Sequence, residues 1–464
     1  MADVTASATA TDQGGGQVTA GPGRRWWRAA TWRSSAAGSV LVPVVVALAF
    51  FLWRLGRPAL WLDEAATVQE SGRSLGSLLA FLSERDAGLG AYYLGMHVWT
   101  RVGDSEWWLR LPSALAMAAA VGLVADLARR WWGSASALGA GLILALSPMA
   151  SRYAQEARPY AFAVAFAVLS TWLLWRAVTE RRRWWIGYSA ALAALGLTHL
   201  VALLVLLAHP AFLMAAWRRS GDVRTLQRWL LAGLAGLGLP VVLAVMVFAQ
   251  RGTVSWIPTP ELSDVGDAYV AMAGSVAYLA VLALLAAFGA RLDSLTAALA
   301  TWCVLPPAIL AAVGLLTPAF LPRYLVVCGP ALVLLAAGAL RESARWRVLF
   351  VAAVALAVAW TPLVRMRAVD GHGGDIRSVA NVIAADCRAG DAVQSNLSTV
   401  QTLPYYLRRS ECDPSWVSGG LPPQVRRVWV VVPNWQRGRP SGVTGLAEVR
   451  TVAVPGLRVS LWRR

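Results

Sequence analysis

The chain has 464 residues, 57% hydrophobic and only 14% charged, with a mean hydropathy of +0.54. Soluble domains carry roughly 25% charged residues, and repeated apolar runs near 20 residues long point instead to a polytopic helical membrane protein. The net charge of +17 would suit a nucleic-acid binder, but the basic residues, all arginine, cluster in short loops between apolar runs, so that class is set aside.

Residues 1–38 read as a Gly/Ala/Thr/Ser-rich, disordered cytoplasmic tail without a cleavable signal. Arg24, Arg25, Arg28 and Arg33 precede the first apolar run, which then serves as an uncleaved anchor with the N-terminus cytoplasmic. Over 39–364 the apolar runs predict about eleven spans: 40–54, 109–128, 135–150, 159–178, 184–198, 200–216, 229–249, 268–289, 294–315, 323–340 and 347–364. Alternate loops carry Arg129-Arg130, Arg181 to Arg183, Arg218 to Arg228, Arg291, and Arg341 to Arg347, all on the side of the tail. That parity requires Ala91–Arg101, too short to span, to lie with Ser74–Leu82 as amphipathic surface helices in a long first external loop, 55–108. The other outer segments are 151–158, 250–267, 316–322 and everything after about residue 365.

Composition changes in the last stretch, 365–464. Helical spacing over Asp375–Ala385 is followed by an extended stretch at Asp391–Val393, a strand-like run Arg427–Val432 and the alternating Leu457–Leu461. This mix predicts a small extracytoplasmic α/β domain. Within it, Cys387 and Cys412 are candidates for a disulfide worth about 2–4 kcal/mol, two free thiols being the alternative. Cys303 and Cys328 lie in apolar runs and should pack as small hydrophobes.

Three clusters fall on the outer side: Asp63-Glu64 in the first loop; Arg152, Tyr153, Glu156 and Arg158 in Ser151-Arg-Tyr-Ala-Gln-Glu-Ala-Arg-Pro-Tyr160; and Arg323 and Tyr324 at the mouth of a late span. His199 ends the fifth span. Arginine forks bind phosphate oxygens and neutralise a leaving phosphate, while a carboxylate can accept a proton from an attacking hydroxyl. Two carboxylates with a histidine could also hold a divalent cation, with no ligand spacing fixed by the sequence. Each cluster has a plainer alternative. Asp63-Glu64 could be an acidic helix start, Glu156 and Arg158 an interfacial ion pair, Arg323 a snorkelling side chain and His199 a packing residue.

The first span followed by Trp61-Leu-Asp-Glu-Ala, then Ala91-Tyr-Tyr-Leu-Gly-Met-His97, Leu109-Arg-Leu-Pro-Ser-Ala114, Arg152-Tyr-Ala-Gln-Glu-Ala-Arg-Pro-Tyr160 and a late Pro-Arg-Tyr, resembles the GT-C membrane glycosyltransferases. Within them it is most similar to glycosyltransferase family 39, which includes protein O-mannosyltransferases and the aminoarabinose transferases of lipid A. The resemblance implies an all-α polytopic GT-C fold with the small α/β domain appended. It implies a polyprenyl-phosphate sugar donor, mannose by default with pentoses as alternatives, and inverting transfer at the outer face of the cell membrane. The acceptor would be a glycolipid, a polysaccharide or a protein hydroxyl. The resemblance further implies that Asp63 would act as base, that Glu64 would assist it, that Arg152, Tyr153, Glu156, Arg158, Arg323 and Tyr324 would bind the donor, and that Glu64 and Glu156 would be the ligands of any magnesium or manganese ion. Asp86, Tyr92, Tyr93, His97 and His199 are further candidates; the chain reads Asp86-Ala-Gly-Leu-Gly-Ala-Tyr-Tyr93 where many relatives carry a His or Pro-rich turn. The competing class is a transporter or flippase of a lipid-linked substrate. Such proteins place ionisable groups near mid-membrane, whereas here the clearest such acid, Asp126, sits close to the arginine loops.

Overall fold

Inside a bilayer, every backbone N–H and C=O must find a partner within the chain, so apolar segments fold as helices. The computed structural model describes residues 37–221, 224–417, 421–436, 438–440 and 443–464; the tail expected over 1–38 falls almost wholly outside them. Helix α1 (Gly38–Leu52) leads into three short helices, α2 (Leu62–Ser71), α3 (Leu75–Glu84) and α4 (Gly90–Trp99). The last two are helices over the stretches Ser74–Leu82 and Ala91–Arg101, as the sequence predicts. Next come α5 (Glu106–Trp132), α6 (Ser134–Ala145), α7 (Pro148–Ala154), α8 (Tyr160–Thr179) and α9 (Trp184–Thr198). A 3-10 stretch, Leu200–Ala208, continues into α10 (His209–Ser220). The membrane part ends with α11 (Thr225–Ala249), α12 (Leu262–Ala273), α13 (Val276–Gly289), α14 (Ser294–Gly314), α15 (Gly329–Ala337) and α16 (Arg345–Met366).

Among the described residues, seven helices are long and apolar enough to cross a membrane, or up to nine if two bent pairs each form one span. That is fewer than the eleven apolar runs predicted, and the shortfall lies in α1 and α9. Both are helical, but each has 15 residues, about 22 Å at 1.5 Å per residue, short of the roughly 30 Å hydrocarbon core. The early end of α1 leaves carbonyls to satisfy. Arg367 donates to Phe50 O at 2.8 Å and Trp53 O at 3.2 Å, and Gln155 Nε2 reaches Phe51 O and Trp53 O, both at 3.2 Å.

The two bent pairs meet. Helices α6 and α7 turn by 58° and α12 and α13 by 81°. At the second break Gly274 has φ 91°, and a Cβ there would lie 2.1 Å from Met149 N, so neither the backbone conformation nor the space admits a side chain. Ser147, at the first break, donates to Ala273 O at 3.2 Å. Backbone freed by one break is thereby bound by a side chain at the other, which is how irregular chain persists at membrane depth.

The C-terminal part comprises α17 (Ile376–Ala384), α18 (Leu403–Leu407) and the strands β1 (Ala392–Gln394), β2 (Ser415–Val417), β3 (Arg427–Pro433), β4 (Ala447–Val454) and β5 (Leu457–Arg463). The sheet order is β2-β1-β3-β5-β4, with β1 parallel to β2 and β3, and β5 antiparallel to β3 and β4. Ile376, Val379 and Ile383 of α17 pack on Trp429, Val459 and Leu461 of the sheet. Strand β4 is an edge, mostly exposed, so it lacks the apolar alternation that announces a strand in sequence. The domain is joined to the helices by polar contacts: Arg377 to Glu106 at 2.7 Å, Arg408 to Asp104 at 2.7 Å, and Leu60 N to Tyr406 Oη at 2.7 Å.

Cys387 and Cys412, 25 residues apart in sequence, are disulfide-bonded with Cα atoms 5.7 Å apart. Replacing both by serine should destabilise this domain by about 2–4 kcal/mol through a freer unfolded chain. Faster amide exchange across β1 and β2 would register the loss; unchanged exchange would show that the loop is held by its packing alone.

Candidate active site

Asp63 and Glu64 occupy the first turn of α2, where the helix dipole favours acids, yet their environments differ completely. Glu64 is fully buried. Arg110 Nε donates to its Oε1 at 2.7 Å and Arg110 Nη2 to its Oε2 at 2.6 Å, while Ala157 N donates to Oε1 at 2.8 Å. Burial alone would raise the Glu64 pKa, but the Arg110 guanidinium outweighs it and holds the carboxyl well below its ordinary 4.5. Arg110 has further partners: Leu55 O, Pro58 O, Ala59 O and His372 Nδ1, at 2.9, 2.9, 3.2 and 3.3 Å. One guanidinium thereby gathers the irregular chain between α1 and α2.

Asp63 points away from this core. Its Oδ2 lies 3.4 Å from Arg323 Nη1 and 3.9 Å from Arg158 Nε, and this buried oxygen accepts no hydrogen bond. Arg158 is fixed beneath it by donating Nη1 to the Asp63 carbonyl at 3.3 Å. From the stretch between α7 and α8, Arg152 and Glu156 form an ion pair at 3.0 Å, with both Glu156 oxygens buried and without a hydrogen bond. Burial pushes the Glu156 carboxyl up to about 7, more than the Arg152 charge pulls it down. Tyr153 meets Tyr160 at 5.2 Å between ring centroids, Tyr160 meets His199 at 5.7 Å and His199 meets Tyr324 at 5.0 Å. Burial, with Arg158 close by, lowers His199 to about 4, so its imidazole is neutral near pH 7.

These groups border a cavity of about 1200 Å³ whose floor is the pair of helix breaks, at Pro148 and Met149 on one side and Gly274 and Ser275 on the other. Arg152, Tyr153, Glu156 and Arg323 line it, and Arg323 connects it to Asp63. Three lining residues escaped the sequence reading: Asp267, Arg365 and Asp370, brought in by α12, the end of α16 and the turn after it. Nothing local in the sequence marks them.

The other candidates do not line this cavity, although Tyr92, Tyr93 and Asp86 stand within electrostatic reach of Arg158. His97 is buried, with Nδ1 2.9 Å from Ser71 O and Nε2 2.8 Å from Arg101 Nη2, so it ties α4 to the end of α2. Tyr92 and Tyr93 belong to an apolar cluster with Leu60, Leu78 and Leu109. Asp86 sits at a left-handed turn, φ 57°, and burial raises its carboxyl. Glu64 and Glu156 do not fit as a cation pair, since the Glu64 oxygens are taken by Arg110 and Ala157. Among the described residues no three His, Cys, Asp or Glu side chains gather into a metal cage. Arg110 and His372 are the partners the reading missed. Arg110 carried a signal, as an arginine at the start of an apolar run needs a buried counter-charge; His372 carried none.

Residues 89–248 match the family model of the dolichyl-phosphate-mannose-protein mannosyltransferases. The whole fold is similar to ArnT from Cupriavidus metallidurans in the apo state, at 18% identity over 92% of this chain and 98% of that one, with a TM-score of 0.63. The same enzyme bound to undecaprenyl phosphate aligns at 17% identity over the same shares, with a TM-score of 0.61. The arabinofuranosyltransferase AftD from Mycobacteria aligns at 15% identity over 91% of this chain and 41% of that one, with a TM-score of 0.50. No curated protein matches the sequence. The fold is that of the GT-C glycosyltransferases.

Glu64→Gln should cost about 3–5 kcal/mol, because it leaves Arg110 buried without its counter-charge. A carboxyl with a depressed folded pKa adds stability above its ordinary 4.5 and loses it only as pH falls through the lower folded value. Thermal unfolding should therefore separate the variant from wild type at neutral pH and bring the two closer in acid. Equal stability at pH 7 would dismiss the pair as a keystone.

Proposed function

We propose that this protein is an inverting glycosyltransferase that moves a sugar from a polyprenyl phosphate to an acceptor hydroxyl at the outer membrane face. The observation that carries this reading is Asp63 Oδ2, an unsolvated carboxylate oxygen with no hydrogen bond, held at 3.4 Å from an arginine that lines a large cavity. Asp63 takes the proton of the acceptor hydroxyl. The oxygen forms its bond to the anomeric carbon opposite the phosphate, and the bond from that carbon to the phosphate oxygen breaks. The lipid phosphate leaves as an anion, and Arg323 and Arg152 offer it guanidinium donors. Glu64 acts through Arg110 as a positioning residue for Asp63.

A fold similar to a protein seen with undecaprenyl phosphate supports the lipid-phosphate donor. Mannose follows the description of the matched family, and a pentose would follow the arabinofuranosyl transferase of similar fold. For a transport reading, Asp126 offers no free ionisable group: Arg129, Arg130 and Trp172 all donate to it, at 2.6–2.8, 2.5 and 2.8 Å.

Membranes supplied with radiolabelled polyprenyl-phosphate mannose and polyprenyl-phosphate arabinose should transfer one of these sugars. Asp63→Asn should reduce that transfer about 10²- to 10⁴-fold with the fold intact; undiminished transfer would end the assignment of the base. Glu156 should be largely neutral below about pH 7 and charged above it, where it opposes a donor phosphate. The donor KM should accordingly rise above neutral pH in the wild type and stay level in Glu156→Gln; a rise in both would exonerate Glu156. For orientation, cysteines placed at Ser83 and Arg182 should react with impermeant reagents from opposite faces, Ser83 from outside. Labelling from one face would overturn the arginine-loop topology.

A further inference from the structure

At the other end of α5 from Arg110, a second cavity of about 380 Å³ is lined by Trp131, Trp132, Arg291, Asp293, Arg341 and Glu342, together with the first residues of α14. Helix α5 has 27 residues, about 40 Å at 1.5 Å per residue, so this cavity lies on the arginine-rich side, remote from Asp63. Its walls hold two buried donors with nothing to donate to, Trp131 Nε1 and Arg341 Nε. Neither is free to turn away. The Trp131 ring is stacked on Phe212 at 5.8 Å and meets Trp175 edge-on at 5.5 Å. The Arg341 side chain is only 8% exposed, its guanidinium lies 4.4 Å from the Trp132 ring centroid, and its Nη1 is bound to Asp293 at 3.2 Å. Unmade hydrogen bonds on rigid buried donors call for an acceptor from outside the chain.

The acceptor's chemistry can be narrowed. Asp293 is committed to Arg341 and to Thr296 N, which it caps at 2.7 Å. The first turn of α14 therefore faces the cavity with its positive dipole end. Two unpartnered N–H donors, a helix N-terminus and Arg291 suit a phosphate. Yet two carboxylates share the lining, so its formal charge sums to zero, which argues against a polyanion. Exposed Glu342 has no hydrogen-bond or ion-pair partner among the described residues and remains available for a cation. Close in sequence to the lining residues, Leu292 is wholly exposed, and Trp346, Leu349 and Phe350 at the start of α16 are 57–66% exposed, a composition that suits a lipid headgroup boundary.

We propose that this cavity binds the phosphoethanolamine headgroup of a membrane lipid, its phosphate on Trp131 Nε1 and Arg341 Nε and its ammonium on Glu342. The test uses the full chain in detergent, read by native mass spectrometry with phosphatidylethanolamine, phosphatidylglycerol and phosphatidylcholine of matched acyl chains. Wild type should retain one phosphatidylethanolamine in preference to the others. Trp131→Phe keeps the ring packing and removes only the N–H, and it should weaken that retention about tenfold or more, as loss of a hydrogen bond to a charged group does. Arg341→Gln should do the same, and Glu342→Gln should abolish the preference over phosphatidylglycerol. Equal retention of the three lipids by wild type, or unchanged retention in Trp131→Phe, would overturn the proposal. Displacement of the lipid by inorganic phosphate alone would also overturn it, as the mark of a simple anion site.

Discussion

The pair Arg110–Glu64 holds the site together. Irregular chain between two membrane-associated helices exposes carbonyls that neither lipid nor helix can satisfy. Arg110 collects three of them and closes the arrangement with a bidentate contact to Glu64. Two buried charges are tolerable only because almost every donor and acceptor on them is used. The consequence falls on the neighbouring residue: with Glu64 locked inward, the first turn of α2 has little freedom, and Asp63 must project the other way, toward Arg158 and Arg323. The stretch between α7 and α8 is bound into the same node through Ala157 N.

Room for a substrate comes from a different device. Two bent helix pairs cross at their breaks, and glycine at one of them lets the backbones touch. The cavity above this crossing is walled by arginines and carboxylates from four separate stretches of chain. Its polarity is uneven. Glu156 is buried without a hydrogen bond and is raised toward neutrality, whereas Glu64, equally buried, is driven down by a bidentate arginine. Burial is common to both carboxyls, and the partner decides the sign.

The apolar runs and the tail's change of composition were enough to place the helices, the two short helices before α5 among them, and most of the terminal α/β domain. Strand β4 was not legible, because an exposed edge strand does not alternate. Apolar length in sequence does not say where a helix stops: α1 ends at Leu52, and Arg367 and Gln155, distant in sequence, take its last carbonyls.

For the site, the sequence by itself determined which chemistry was present: an acidic pair after the first apolar run, arginines between two later runs, and a late Pro-Arg-Tyr. It could not divide the work between Asp63 and Glu64, since adjacent residues share composition, periodicity and predicted exposure. Only the tertiary structure decided that, by burying Arg110 behind one carboxylate and placing Arg323 in front of the other. The same holds for Asp267, Arg365 and Asp370, which enter the cavity because helix breaks and chain turns carry them there. A side chain's role depends on what stands opposite it, and that partner is chosen by packing over hundreds of residues, beyond the reach of local pattern.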